Sequence, residues 1–414
     1  MSEFHPQTAL VLAVFFIVYL GMILGGLPRL HLDRTGVALL GAIAIVGFEV
    51  MTPEQAAQSI HLPTILLLFS FMVISAQMRL GGFYDAVTRR IAALPLGSMG
   101  LMGVIIGVSA LLSAVFSNDI VCLAMAPVLA EVCLRRRVDP IPFLLGLACA
   151  SNIGSAATLI GNPQNMLIGE VLRLPFAAYL WQALPPVVAG LLALWVLLAW
   201  PLRRPAAPLQ ASPAQLQALQ TDVTPLDRWQ TAKGLIVALA LVAIFLFTDW
   251  PRDVAALVGA GLLLLSQRFH SSKVMGLIDW ELLILFMGLF VVNHALELTG
   301  LTQQAVAWLA SQGIDLSQPL ALFIATLGLS NLVSNVPAVM LLLPAAEGAH
   351  AGATLALVST MAGNLLIVGS IANIIVVDAA RRCGVEIDWR RHARTGVPVT
   401  VVTLAITALW VARL

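Results

Sequence analysis

Charged residues are scarce in this sequence: Asp, Glu, Lys and Arg make up 10% of its 414 residues, whereas 60% are hydrophobic. Its apolar runs are repeatedly long enough to cross a hydrocarbon core of roughly 30 Å. We therefore predict an integral membrane protein. The first run, Thr8 to Leu27, has no Lys or Arg before it, so we interpret it as a retained span rather than a cleaved signal peptide.

Other features of catalytic and metal-binding proteins are also missing. The sequence shows no cluster of metal-ligand residues and no nucleophile with a base at motif spacing. Its four cysteines have no paired spacing, and we interpret them as small core residues. The sequence therefore predicts a protein that is not an enzyme and holds no cofactor. We also predict no nucleic-acid partner.

Two polar motifs are present twice. A Ser-Asn pair occurs at 117–118 and again at 334–335, an offset of 217 positions. A segment with glycine and asparagine occurs at 161–165 and again at 369–373, an offset of 208 positions. Duplicated polar segments that interrupt apolar helices are typical of secondary transporters, whose binding sites lie near the bilayer midplane.

The order of apolar runs predicts an all-α polytopic membrane protein with two inverted repeats, each containing a re-entrant helical hairpin and a broken transmembrane helix. The first repeat, residues 1–200, is predicted to hold scaffold spans within 7–80, a surface helix at 82–94, a hairpin at 98–134, a broken span at 141–172 and a span at 176–200. A cytoplasmic linker is predicted at 201–232. The second repeat, residues 233–414, is predicted to hold scaffold spans within 234–297, a surface helix at 300–313, a hairpin at 317–346, a broken span at 352–380 and a span at 395–412.

Charge predicts how these spans are oriented. With the N-terminus outside and each hairpin entering and leaving on one side, 19 of the 22 Lys and Arg residues fall on the inner face. Such a bias is typical of the cytoplasmic side. Each half then has an odd number of crossings, so the halves must be inverted. We predict a multi-pass protein of the cell inner membrane with both termini outside and the lipid bilayer as its surroundings.

The helix breaks are the predicted functional site. Backbone groups freed by a break inside a bilayer need partners from protein, water or a bound ion. The predicted breaks lie at Gly161, Pro163, Pro337 and Gly369. The predicted substrate- and ion-binding residues are Ser117, Asn118, Asp119, Asn162, Asn165, Ser334, Asn335, Ser370 and Asn373. The alternative is that Ser and Asn only hold helices together through hydrogen bonds.

Asp119 breaks the symmetry between the halves, because the residue 217 positions later is Val336. Ionisable residues at this depth are costly and usually functional, so Asp119 is the candidate for proton coupling. The alternative is that Asp119 only caps its own hairpin arm. A sodium ion is also possible at Ser117, Asn118, Ser334 and Asn335. Weaker candidates near span ends are Glu131, Glu281, His294 and Glu297.

The segments 116–119, 150–165, 333–338 and 363–373 resemble the ion transporter superfamily with the citrate-transporter-like domain. That group includes bacterial arsenite permeases, plant silicon efflux transporters, sodium/proton antiporters and sodium-coupled divalent anion symporters. The motif pattern is most similar to the arsenite permeases and the silicon efflux transporters. The resemblance implies an elevator mechanism, in which hairpins and broken spans move together against a scaffold, and a homodimer.

The residues after the two Ser-Asn pairs bear on the substrate. They are Asp119 and Val336, where the divalent anion symporters are expected to have threonine. No Lys or Arg lies in any of the four breaks, which suits a neutral solute such as arsenous acid. The sequence predicts a secondary active transporter for a small inorganic oxyacid or oxyanion, of the arsenite, antimonite or silicic acid type, exported in exchange for protons.

Three alternatives remain open. The first is a sodium-coupled symporter of divalent anions such as dicarboxylate or sulfate, and the second is a sodium/proton antiporter. The third belongs to a different class, a channel, although the sequence has no uninterrupted polar stripe that would line a pore. Dependence of flux on a proton or sodium gradient would separate a carrier from a channel.

Overall fold

The structure is a computed structural model that describes residues 6–27, 30–203 and 224–413. Regular structure in these residues is helical, apart from an isolated bridge between Gly26 and Asp33. Residues 204–223 of the predicted linker lie outside the described residues. The described helices of the first half are α1 (Pro6–Leu24), α2 (Arg34–Gly47), α3 (Pro53–Ser59), α4 (Leu62–Leu80), α5 (Phe83–Ala92), α6 (Ser98–Val115), α7 (Asn118–Arg135), α8 (Pro140–Ser155), α9 (Pro163–Val171) and α10 (Phe176–Ala199).

The described part of the second half also contains ten helices. They are α11 (Arg228–Phe247), α12 (Arg252–Leu264), α13 (Ser271–Met275), α14 (Trp280–Leu298), α15 (Leu301–Ser311), α16 (Pro319–Val333), α17 (Asn335–Leu342), α18 (Ala351–Ala362), α19 (Ile371–Arg382) and α20 (Trp389–Val411). Short 3₁₀ turns cover Pro201–Arg203, Leu343–Ala345 and Ile367–Gly369.

Seven of the described helices, α1, α4, α6, α10, α11, α14 and α20, are long and apolar enough to cross a membrane. Shorter apolar helices, among them α8 and α18, lie next to the interruptions in the chain. The protein is therefore a multi-pass membrane protein with an all-helical fold, as the sequence predicts.

Helix packing relates the two halves to each other. Helix α4 packs against α12, and α14 packs against α2. By order in the chain, α4 corresponds to α14 and α2 corresponds to α12, so the two contacts are equivalent. Two structurally related halves would produce such a pair of contacts. In the centre, α7 and α8 of the first half pack against α19 of the second. The predicted polar motifs on these three helices therefore lie where the halves meet.

Two helices begin earlier than the sequence predicts. Helix α11 begins at Arg228 rather than at 234, and α20 begins at Trp389 rather than at 395. Each start is fixed by an aspartate, Asp227 or Asp388, whose side chain accepts a backbone N–H of the first turn. Because the first turns of these two helices contain charged residues, a search for apolar runs places the helix starts too late. The sequence does not predict α3 and α13, because these short helices contain charged residues and form no apolar run.

A close approach between α6 and α8 gives a test of the packing. Gly154→Ala is expected to destabilise the protein by about 1–3 kcal/mol, because the added Cβ would lie 2.3 Å from Ala110 Cα. The matched control is Gly107→Ala on α6, where no atom lies within 4 Å of the added Cβ. Thermal unfolding in detergent compares the two variants. Equal midpoint temperatures of unfolding for Gly154→Ala and Gly107→Ala would contradict the close packing of α6 against α8.

Candidate functional site

The two breaks of the first half contact each other. Helix α7 begins directly after Ser117, and the backbone N–H of Asn118 donates to the carbonyl oxygen of Gly161 at 3.1 Å. A side chain at Gly161 would place its Cβ 2.2 Å from the Ser155 carbonyl oxygen, so the break requires glycine there. Pro163 starts α9, where its missing N–H costs nothing.

In the second half, the hairpin break lies at Ser334 and not at Pro337. Ser334 has a φ of 77°, a left-handed value that is uncommon for a residue with a side chain. Pro337 lies in the first turn of α17, a position that tolerates proline. Gly369 ends the 3₁₀ turn before α19, and Ser370 follows it as the residue that precedes this helix.

Asn152 on α8 joins the polar residues of the two halves. Its Oδ1 accepts from Asn118 Nδ2 at 3.0 Å and from Ser370 Oγ at 2.9 Å. Its Nδ2 donates to Asn364 Oδ1 at 2.9 Å and to Asn373 Oδ1 at 3.3 Å. One residue of the first half thus bonds to three residues of the second. We call Asn118, Asn152 and Asn364 the amide chain.

Both ends of the amide chain have an atom without a partner. Asn118 Oδ1, an acceptor, and Asn364 Nδ2, a donor, are buried and make no hydrogen bond to any described residue. Asn118, Asn152 and Asn364 are only 5%, 2% and 0% exposed. A buried polar atom without a partner costs about 1–3 kcal/mol, so such atoms in a native protein require an explanation. A donor group of a ligand would satisfy Asn118 Oδ1, and an acceptor group would satisfy Asn364 Nδ2.

The predicted site residues Asn162 and Asn165 both bond within the first half, and Asn162 also bonds to the second half. Asn162 Nδ2 donates to Ser155 Oγ at 2.9 Å and to Thr360 Oγ1 at 3.2 Å. Asn165 Nδ2 donates to the Thr158 carbonyl at 2.9 Å. Asn162 Oδ1 also caps α9 by accepting the Asn165 N–H. These contacts stabilise the conformation of the segment between α8 and α9.

Asn373 and Asn335 have the corresponding contacts in the second half. Asn373 Nδ2 donates to the carbonyl oxygens of Gly363 and Leu366, at 2.8 and 3.0 Å. Asn335 Nδ2 donates to the carbonyls of Ser359 and Gly369, in the amide orientation that satisfies both of its polar atoms. Both side chains therefore bond to the backbone beside the breaks.

The two hairpin tips are not joined directly. Among the described residues, no hydrogen bond links Ser117 or Asn118 to Ser334 or Asn335. The sodium site suggested at these four residues stays a prediction. Asp119 is partly buried in the first turn of α7, where a helix N-terminus favours a carboxylate.

Sequence reasoning missed Asn152, Asn364 and Thr360. At the 208-residue offset, Asn152 corresponds to Thr360 and Asn364 corresponds to Ala156, so a search for identical residues passes over them. A different signal was available, because buried amides within membrane helices are costly and usually have a specific partner. A search for every such amide near the breaks would have included Asn152 and Asn364.

Comparison with known proteins identifies the family. The family model described as citrate transporter, CitMHS, matches residues 11–362. The chain belongs to this family. The resemblance inferred from the motifs is therefore confirmed. The name of the CitMHS family also fits the prediction that the chain is a transporter and not an enzyme.

Relatives match this CitMHS protein over almost its whole length. The 46 kDa membrane protein of Mycobacterium leprae is 30% identical, over 92% of this chain and 94% of its own. The silicon efflux transporter LSI3 of Oryza sativa subsp. japonica is 28% identical, over 97% of each chain. The crystal structure of the Alcanivorax borkumensis YdaH transporter covers 99% of this chain and 98% of its own, with a TM-score of 0.51. Its sequence identity is 15%, so this likeness concerns the fold alone.

Proposed function

We propose that this membrane transporter moves a small, uncharged oxyacid of the silicic acid or arsenous acid type out of the cell, in exchange for protons. The observation that carries the proposal is the amide chain with an unpartnered acceptor at Asn118 and an unpartnered donor at Asn364. A hydroxyl group both donates and accepts, so a polyhydroxy acid can bond to both ends.

The charge of the site favours a neutral solute over a dianion. The side chains bonded to Asn152 are amides and one hydroxyl, and none of them is cationic. Burying a dianion without cationic partners costs far more than burying a hydroxylated neutral molecule. The name of the rice relative, a silicon efflux transporter, supports silicic acid and the outward direction.

Alternating access is the proposed mechanism. The residues of the amide chain are buried, so a solute reaches them only when helices move. We expect the hairpins α6–α7 and α16–α17 to move together with the broken spans, as an elevator-type transport domain. The two halves would be inverted repeats in the inner membrane, with both termini outside, and the protein would be a homodimer.

Each part of the amide chain has a proposed role. Asn118 Oδ1 would accept from a solute hydroxyl, and Asn364 Nδ2 would donate to a solute oxygen. Asn152 would hold these two groups at a fixed separation, since it bonds to both. Asp119, one residue after Asn118 on α7, would carry the exchanged proton. No resident cofactor is required in this scheme, because the coupling ion is itself transported.

A flux panel in reconstituted vesicles tests the proposed function. We expect silicic acid or arsenite to be accumulated under an imposed proton gradient, and sulfate and succinate to be left outside. Empty vesicles and vesicles with Asn118→Ala protein are the controls, because that variant removes the acceptor end of the amide chain. Sodium-driven succinate or sulfate flux would support the symporter alternative. Gradient-independent flux that does not saturate with solute would support the channel.

A further inference from the structure

His392 is a buried titratable residue that the proposed mechanism does not use. It is the fourth residue of α20 and is 2% exposed. Its Nε2 lies 3.2 Å from the backbone carbonyl oxygen of Asn364. A carbonyl oxygen only accepts, so Nε2 carries the proton and donates it. Its Nδ1 is buried and has no hydrogen-bond partner among the described residues.

The next turn of α20 brings its backbone against the same carbonyl. A Cβ added at Gly396 would lie 2.4 Å from the Asn364 carbonyl oxygen and 3.0 Å from His392 Nε2. Only glycine allows this approach without displacing one of the two segments. His392 and Gly396 therefore form one contact surface on α20, and the Asn364 carbonyl, two residues after the end of α18, lies against it.

Asn364 connects this contact to the amide chain. Its backbone carbonyl accepts from His392, and its side-chain Oδ1 accepts from Asn152. With its backbone held by His392 and its Oδ1 held by Asn152, Asn364 has little freedom to redirect its unpartnered Nδ2, the donor assigned above to the solute. We propose that His392 is a positioning residue that sets the affinity of the transporter for its solute by holding Asn364. This inference rests on the proposed function.

The hydrogen bond gives a physical reason for a polar residue at this buried position. An apolar side chain would leave the Asn364 carbonyl buried without this donor, and the segment would relax to find another. Glutamine carries an N–H₂ group at comparable reach and can replace the donor. A leucine and a glutamine at position 392 therefore separate loss of the hydrogen bond from loss of the imidazole itself.

Flux kinetics and hydrogen exchange of the intact transporter test this role. His392→Leu is expected to raise KM for the transported oxyacid about tenfold, with Vmax changed less than about twofold, since one hydrogen bond is lost. It should also speed amide exchange in residues 363–366, measured by mass spectrometry. His392→Gln should restore both values to near native. Thr400→Val is the matched control, because Thr400 Oγ1 is buried on the same helix and bonds to none of the residues that the structure describes.

Two outcomes would overturn the inference. The first is that His392→Leu keeps the native KM and the native rate of amide hydrogen exchange. The second is that KM and amide hydrogen exchange change as much in His392→Gln as in His392→Leu. If His392→Leu does not fold, Gly396→Ala serves instead, because its Cβ would displace the same carbonyl and should raise KM and exchange together. If the native protein moves neither silicic acid nor arsenite, the proposed function fails. The exchange measurement then still tests whether His392 holds residues 363–366.

Discussion

Asn152→Ala is expected to reduce oxyacid flux by about two orders of magnitude, because it removes both the acceptor for Asn118 and the donor to Asn364. The two ends of the amide chain would no longer be held at a fixed separation. The measurement is the initial rate of proton-driven flux in vesicles, divided by the amount of folded transporter. Gel filtration and thermal unfolding report that amount.

The matched control for Asn152→Ala is Gln77→Ala. Gln77 is also a buried amide on a membrane helix, and its Nε2 donates to Gln230 of the second half at 2.7 Å. Its loss should lower stability and leave the flux of the folded fraction close to native. If both variants lose flux equally, buried amides between the halves act only as structural contacts. Near-native flux in Asn152→Ala would remove the amide chain from the solute path.

Asp119→Asn is expected to abolish proton-driven accumulation while solute exchange across the membrane survives. Asparagine keeps the size and much of the hydrogen bonding of aspartate but cannot bind and release a proton. Asp119 follows Asn118 in the first turn of α7, so the variant tests whether a proton carried beside the hairpin tip is coupled to solute movement. The measurement compares uphill accumulation under a proton gradient with counterflow, in which labelled solute exchanges for unlabelled solute without a gradient.

Asp378→Asn is the control for Asp119→Asn. Asp378 lies on α19 and forms an exposed ion pair with Arg382, so its loss should alter neither uphill transport nor counterflow. Unchanged proton-driven transport in Asp119→Asn would exclude this residue as the proton carrier and direct attention to His294, Glu297 and Glu281. If flux instead depends on sodium, Asp119→Asn should weaken the apparent sodium affinity.

Most helix positions follow from the sequence, and the exceptions have physical reasons. Apolar runs predict α4, α6, α10 and α14 within a few residues, because lipid leaves few alternatives to a long apolar helix. The starts of α11 and α20 were misplaced since polar first turns capped by aspartate do not resemble a span. Pro337 marked a break that the structure places at Ser334, because proline is tolerated in a first turn.

The residues around the breaks were predicted better than the contacts between them. Asn118, Ser370 and Asn373 were expected near a polar site, and each bonds to Asn152. The position of Asn152 itself depends on how two halves pack, and no local pattern encodes that arrangement. Symmetry within the sequence directed attention to matched positions, whereas Asn152 and Asn364 are not equivalent under the repeat.

The bonds of Asn152 to the second half also have a consequence for biosynthesis. Asn152 and Asn364 are 212 residues apart in the chain. At typical synthesis rates, Asn364 emerges from the ribosome about 10–40 s after Asn152. During that interval the Asn152 amide lacks its partners from the second half, and water or the insertion machinery has to solvate it. A nascent chain stopped before residue 364 would therefore expose a polar helix surface to lipid, and quality-control proteases could recognise it.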